Sequence, residues 1–323
     1  MWPIALALAL NCFAQQQEWE RSFEAARQLV GVGQYVAAAE KLEEARQAAE
    51  AFGPDDLRLA TIWNALGRMD TELGRYREAE RALRQAVRIY DRAGRKDQEY
   101  ASMLRSLSNL YSCWHWDSRA QELAQRAFDI HSKTLPTNHP DIAKDLRLVA
   151  HLDVLEGRYR EAESLDRRAL AIWNLRPEGN QIDIALTLND LANILGGLKR
   201  HAEAEPLLEQ AVALAERSAG TEHPLTGLTV GNLGALRLYQ RRNTEAERLL
   251  ARALAINERA LGAQHPDVAV TCMAYAQALR RLNRKREAKE YEKRAQAIRA
   301  NHSAEDASQY TVDVRTLMVP PGR

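Results

Sequence analysis

The tripeptide His139-Pro140-Asp141 returns as His223-Pro224-Leu225 and His265-Pro266-Asp267, with Gln181-Ile182-Asp183 in the slot between, so the chain repeats itself every 42 residues. A second marker keeps the same beat: Ala79, Ala120, Ala162, Ala204, Ala246 and Ala288, which extend back to Ala38. A period of this length describes a stack of small units, each unable to bury its apolar face alone.

The residues within one period make that unit a helical hairpin. Leu188, Leu191, Ala192 and Leu195 fall at i, i+3, i+4 and i+7 and form one apolar stripe; Ala204, Leu208 and Ala211 form the matching stripe on a second helix. The small Ala192 and Ala204 let two backbones approach closely. Between the helices, Gly33, Gly74 and Gly157 supply a left-handed stop, with Asn283 as a substitute. Between hairpins, Pro140, Pro224 and Pro266 suit a first helical turn, and Asp141 and Asp267 suit its positive end.

Composition agrees. Hydrophobic residues make up 46% and charged residues 28% of 323, enough for a buried core. Lys plus Arg number 45 and Asp plus Glu 44, a net charge of +1 that argues against a nucleic-acid or anionic-membrane binder acting through bulk charge. The three cysteines, Cys12, Cys113 and Cys272, form no disulfide framework and no paired zinc motif. Residues 1–14 are uncharged and apolar from Ile4 to Leu10, with small residues before Gln15, and read as a short signal peptide that lacks a basic start. On that reading the protein is exported, periplasmic or secreted; without it, cytoplasmic. The segment is too short for a membrane span, and no later stretch is an integral membrane segment.

Trp63, Leu66, Gly67, Ala79, Leu83 and Ala86 resemble the signature of the tetratricopeptide repeat, as do Leu104, Leu107, Ser108, Ala120, Ala124 and Ala127, and Val230, Leu233, Gly234, Ala246, Leu250 and Ala253. The 42-residue spacing is similar to the longer variety found in kinesin light chains and many bacterial proteins. The resemblance implies an all-α, right-handed superhelical solenoid of about seven hairpins, whose first helices line the concave side. Seven units fit, at 19–52, 60–93, 101–134, 143–176, 185–218, 227–260 and 269–302. They make residues 15–302 one solenoid and leave 303–323 as an extended or flexible tail. Ser22 and Glu292 occupy normally apolar slots in the end units, as capping repeats require.

No residue pattern offers a catalytic seat. Gly-rich phosphate loops, nucleophile elbows and zincin motifs are missing, and His115, His131 and His151 have no carboxylate at metal or catalytic spacing. Pairs such as Glu78 with Glu80 and Glu245 with Glu247 diverge on a helix and read as solvated flanks. The expectation is a non-enzyme without metal or cofactor.

What remains is the concave face. By the resemblance and by their offset from the apolar stripe, the fifth and ninth residues of each first helix face the groove. They are Asn64 and Arg68, Arg105 and Asn109, Arg147 and His151, Asn189 and Asn193, then Gly231 and Ala235, Met273 and Gln277. None is acidic, so the groove centre is expected to be positive. The small Gly231 and Ala235 are expected to open a pocket beside Leu238 and Tyr239. Arg offers a planar fork for carboxylates and Asn a donor and an acceptor, a set suited to an extended peptide with acidic side chains or a free C-terminus. The function read from the sequence is a protein-interaction scaffold holding a protein or peptide ligand, with Asn64, Arg68, Arg105, Asn109, Arg147, His151, Asn189 and Asn193 as contacts. The alternatives are a regulatory or assembly subunit acting through its convex face or by self-association, and, more remotely, an enzyme.

Overall fold

The structure is a computed structural model that describes residues 2–114 and 117–301, with the side chains from Gln15 onward except that of Asp117. Among the described residues there are fourteen helices and no strand: α1 (Trp2–Gly31), α2 (Tyr35–Glu50), α3 (Leu57–Glu72), α4 (Tyr76–Arg92), α5 (Gln98–Cys113), α6 (Asp117–Thr134), α7 (Pro140–Leu155), α8 (Tyr159–Asn174), α9 (Gln181–Gly197), α10 (His201–Ser218), α11 (Pro224–Tyr239), α12 (Asn243–Leu261), α13 (Pro266–Arg281) and α14 (Lys285–Asn301). They pair as seven antiparallel hairpins stacked in chain order, an all-α superhelical solenoid. The extended tail expected over 303–323 lies outside the described residues.

Each hairpin closes on residues too small to hold its helices apart. Ala38, Ala79, Ala120, Ala162, Ala204, Ala246 and Ala288 are fully buried at one slot of the second helices, and Ala45, Ala86, Ala127, Ala169, Ala211, Ala253 and Ala295 at another. Opposite them stand Ala26, Gly67, Ser108, Ala150, Ala192, Gly234 and Ala276. A Cβ added at Gly67 would sit 2.5 Å from Leu83 Cγ, so a methyl group there would push α3 off α4. In the third hairpin Ser108 turns its buried hydroxyl to the Ala120 carbonyl at 2.7 Å.

The first helices α3, α5, α7, α9, α11 and α13 start three or four residues before the repeat boundaries read from the sequence. At three of them the cause is a histidine. His139, His223 and His265 are N-caps whose Nδ1 accepts from the backbone N–H of residues 141, 225 and 267, with proline next in line. The turns inside the hairpins use the left-handed region at Gly33, Gly74 and Gly157, and at Asn283, Lys199 and Arg241. At the last joints the hairpins are also stitched along one edge. Arg200, Arg242 and Arg284 each reach back to the preceding repeat's Glu163, Glu205 or Glu247 at 2.7, 3.1 and 3.0 Å, while pairing with a glutamate three residues on. The acids read as solvated flanks therefore do structural work: Glu247 is a rung of this ladder, Glu245 pairs with Arg242, and Glu80 accepts from the Tyr111 hydroxyl at 2.8 Å. Of the two departures expected to cap the ends, Glu292 pairs with Arg280 at 2.5 Å. Ser22 is buried, its hydroxyl 3.4 Å from Glu44.

Candidate functional site

The coil closes on itself. The turn after α1 meets the start of α11, and the turn after α3 meets the start of α13, five hairpins further along in each case. His265 Nε2 donates to the Glu72 carbonyl at 3.0 Å, the Tyr35 and His223 rings meet edge to face at 6.1 Å, and Leu261 packs on the core of the first hairpins. One turn of superhelix thus encloses its own concave wall. Side chains from distant hairpins act on one another across it: Arg68 on α3 with Asp183 on α9, Glu72 on α3 with Arg147 on α7, and Cys113 on α5 with Asp267 on α13.

The eight residues expected at the groove divide into distinct groups. Arg68 is exposed, and among the described residues no hydrogen bond or ion pair holds it. The enclosing walls thin the water around its guanidinium and pull its pKa down, with Glu72 opposing, Arg105 adding to the effect and Asp183 opposing again. One turn back on the same helix, the half-buried Asn64 leaves its Oδ1 without a partner. Asn109 is exposed and His151 half-buried.

Arg105 and Arg147 are instead spoken for. Arg105 reaches Asp141 and Asp145 on α7, both at 3.0 Å, and Arg147 reaches Asp190 on α9 at 3.1 Å. Burial works against the Arg147 charge but is outweighed by Asp190, Asp183 and Asp166, which raise its pKa. Asn189 and Asn193 are each 1% exposed. Asn189 accepts from Asn232 Nδ2 at 2.8 Å, whereas both polar atoms of the Asn193 carboxamide lack a partner.

Two expectations need correction. The wall is not simply positive, because acids arrive from positions outside the fifth and ninth slots. Asp141, Asp183 and Asp267 sit in the first turns of α7, α9 and α13, where the sequence marks them as helix starts; Asp190 and Glu72 lie further along their helices. Burial and the neighbouring Glu72 push Asp267 up to about 7. Burial also raises Glu72, against the lowering pull of Arg68 and Arg147. The second correction concerns Gly231. It does line a hollow, with about 20 Å³ of room, close to the space of one water. The lining is Asn232, Leu250, Asn257, Asp267 and Thr271, however, since Leu238 is buried and Tyr239 stacks on His201 at 3.7 Å.

Sequence reasoning also missed His131. It is fully buried, its Nδ1 2.6 Å from Asp145 Oδ2 and its Nε2 3.1 Å from the Gln98 carbonyl, so both nitrogens face acceptors. Together with Arg105 it pins Asp145 and hence α5, α6 and α7. The partners are 14 and 40 residues apart, beyond any local motif. Among the described residues no group of three or more His, Cys, Asp or Glu side chains could hold a metal ion, and no helix is long and apolar enough to cross a membrane.

Solved structures share this architecture. A Rap protein complexed with competence and sporulation factor superposes with a TM-score of 0.71 at 13% identity, over 89% of this chain and 76% of that one. The Rap conjugation gene regulator of plasmid pLS20, in complex with the Phr* peptide, gives 0.69 at 16% identity over 88% and 74%. BtubC (BKLC) from P. vanneervenii gives 0.53 at 22% identity over 72% and 92%. No curated protein sequence matches significantly. The tetratricopeptide repeat model matches residues 23–92, 183–242 and 228–301, more than half of the chain. On that sequence match, and on seven stacked hairpins that keep its spacing, the chain belongs to the tetratricopeptide repeat family.

Proposed function

We propose that this protein is a non-catalytic scaffold that holds an extended peptide segment of a partner protein along its concave wall, with a carboxylate of the segment on Arg68. The observation that carries this reading is the Arg68 guanidinium itself. It is water-accessible, enclosed by the coil, and bonded to no carboxylate among the described residues, while Arg105 and Arg147 are each held by at least one. A fork without a partner in thinned water gains more from a bidentate carboxylate than one on an open surface. Asn64 and Asn109 suit the backbone of such a segment, Asn64 with an unpartnered Oδ1. One Rap structure was solved with competence and sporulation factor and the other with the Phr* peptide, and the latter supports a peptide as the class of ligand.

Selection from a random peptide library with free C-termini tests the reading. Enrichment of acidic or C-terminal carboxylate sequences is expected, with capture lost in Arg68→Gln while helicity by circular dichroism is kept. Unchanged capture by that variant overturns it. Arg105 and Arg147 are poor test sites, since reversing either charge would set acids against their structural partners. Export belongs to the same proposal. Among the described side chains, Trp19 and Phe23 pack against the core of the first hairpins, and both lie downstream of a cut near Gln15. N-terminal sequencing of the purified protein reads it directly.

A further inference from the structure

The contact that closes the coil is built alike in two places. At each, a histidine ring meets the last turn of a helix five hairpins earlier. Nδ1 of His223 and His265 caps its own helix; Nε2 of His265 donates to the Glu72 backbone carbonyl, and the His223 ring packs closely over Gly33 beside Val30. The Glu72 carbonyl belongs to a helix C-terminus, where the helix supplies no partner of its own, whereas the Val30 carbonyl already accepts from the Gly33 N–H at 3.1 Å. His139 has the same cap and the same following proline, yet its side chain is 36% exposed, against 1% for His265. The cap alone does not require burial.

The glycines tell the same story. Gly33 and Gly74 adopt positive φ, but Lys199, Arg241 and Asn283 do so at the equivalent turns, so φ alone does not compel glycine there. What compels it is approach. A Cβ at Gly33 would lie 2.6 Å from Pro224 Cδ, and one at Gly74 3.2 Å from Pro266 Cδ, whereas at Gly157 nothing lies within 4 Å. Glycine is thus sterically needed at Gly33, a tight fit at Gly74 and spare at Gly157.

We propose that His223 and His265, seated on Gly33 and Gly74, form a two-point clasp that holds the superhelix closed by one turn and whose release opens access to the concave wall. As a gate for a ligand the device rests on the groove reading above; as a closure of the coil it is tested without any ligand. The closed turn is joined by the His265 hydrogen bond, the His223–Tyr35 ring contact, Leu261 and proline-on-glycine contacts, while each hairpin joint is held by a whole cluster of buried apolar side chains. The coil therefore opens more readily at the clasp than along the stack.

Cys113, which lies within electrostatic reach of both Glu72 and Asp267 at the second clasp point, is a reporter already in place, and the fully buried Cys272 is its internal reference. Iodoacetamide alkylation, read site by site by mass spectrometry, is compared across folded full-length variants. His223→Asn and His265→Asn keep an N-cap acceptor but are too short to reach across. Gly33→Lys and Gly74→Lys keep a turn the chain itself uses at Lys199 and block the approach. Alkylation of Cys113 is expected to rise about five-fold for one lost clasp and about twenty-five-fold for both, the weight of one net hydrogen bond each. Cys272 should be unchanged and the radius of gyration by solution scattering larger. His139→Asn and Gly157→Lys should change neither quantity. Unaltered Cys113 reactivity and dimensions in the folded clasp variants overturn the proposal, as does an equal response in the two controls. Global unfolding of all four clasp variants overturns it too, since the contact would then be integral to the fold and not a releasable clasp.

Discussion

The slot that holds Leu208 in the fifth hairpin and Leu250 in the sixth holds Asp166 in the fourth, and all three side chains are buried to within 1%. Leu250 packs in an apolar cluster with Ala235, Leu254, Ala276 and Leu279, and only its edge borders the small hollow beside Gly231. Around Asp166 the joint is polar. Neither carboxyl oxygen has a hydrogen-bond partner, and burial, aided by the Asp190 charge and opposed by Arg147, lifts its pKa well above the usual carboxylate range. The comparison teaches that a linear stack tolerates a poor joint. Apart from the contacts that close the coil, each hairpin packs on its neighbours, so a local cost is carried by the sum of the other joints and does not break the fold.

The largest expected effect comes from copying the poor joint onto the good one. Leu250→Asp removes a buried side chain and installs an acid with no arginine placed like Arg147, so a loss of about 4 kcal/mol in urea unfolding is expected. The reverse exchange, Asp166→Leu, should stabilise by about 2 kcal/mol near neutral pH, because Arg147 keeps Asp190 and the orphaned carboxyl disappears. A loss of stability in Asp166→Leu would mean that the acid is anchored in a way these contacts do not contain.

The same pair separates by pH. An acid whose folded pKa lies above its unfolded one binds extra protons in the folded state. Its folding contribution is fullest in acid and falls as pH rises from the ordinary carboxyl range through the folded value. Urea midpoints of the wild type should therefore decline on going from acid to alkaline pH more than those of Asp166→Leu. A parallel decline in both would place the titration elsewhere, for example at Asp267.

A smaller effect distinguishes a satisfied polar contact from an orphaned one, at the joint between the fifth and sixth hairpins. Asn189 and Asn232 are each 1% exposed and bond to each other at 2.8 Å. Asn232→Leu alone should cost about 1 kcal/mol, because it strands the Asn189 carbonyl oxygen; replacing both residues by leucine should recover most of that loss. Additive losses in the double variant would show that the pair contributes more than mutual satisfaction.

Much of this was legible in the sequence, and the limits have physical causes. The period, the hairpins and the alanine slots are repeated local patterns, and each fixes which residues face one another inside a unit. Closure of the coil is not local, since it depends on small rotations summed over five hairpins, and no residue records that sum. Its trace was nevertheless present at Gly33 and Gly74, where later repeats carry Lys199, Arg241 and Asn283. The groove slots suffered in the same way. Asn189 and Asn193 follow the positional rule but are covered, and Arg105 and Arg147 meet acids from helix positions the rule does not count. Arg68 escapes both fates, which is why the proposed site contracts towards it.

The smallest expected effect bears on what the joints have in common. Arg200, Arg242 and Arg284 form equivalent rungs at the joints after the fourth, fifth and sixth hairpins, so the ladder cannot be what separates Asp166 from Leu250. Exposed ion pairs contribute little singly, and salt screens them. Changing one rung to glutamine should leave the unfolding midpoint unmoved within error. Changing all three should remove a salt sensitivity that the wild type shows between low and high ionic strength, while the difference between Asp166→Leu and its parent stays the same in either background. If that difference shrinks once the ladder is gone, the edge pairs and the buried slot are coupled, and the picture of joints summed one by one fails at this point in the stack.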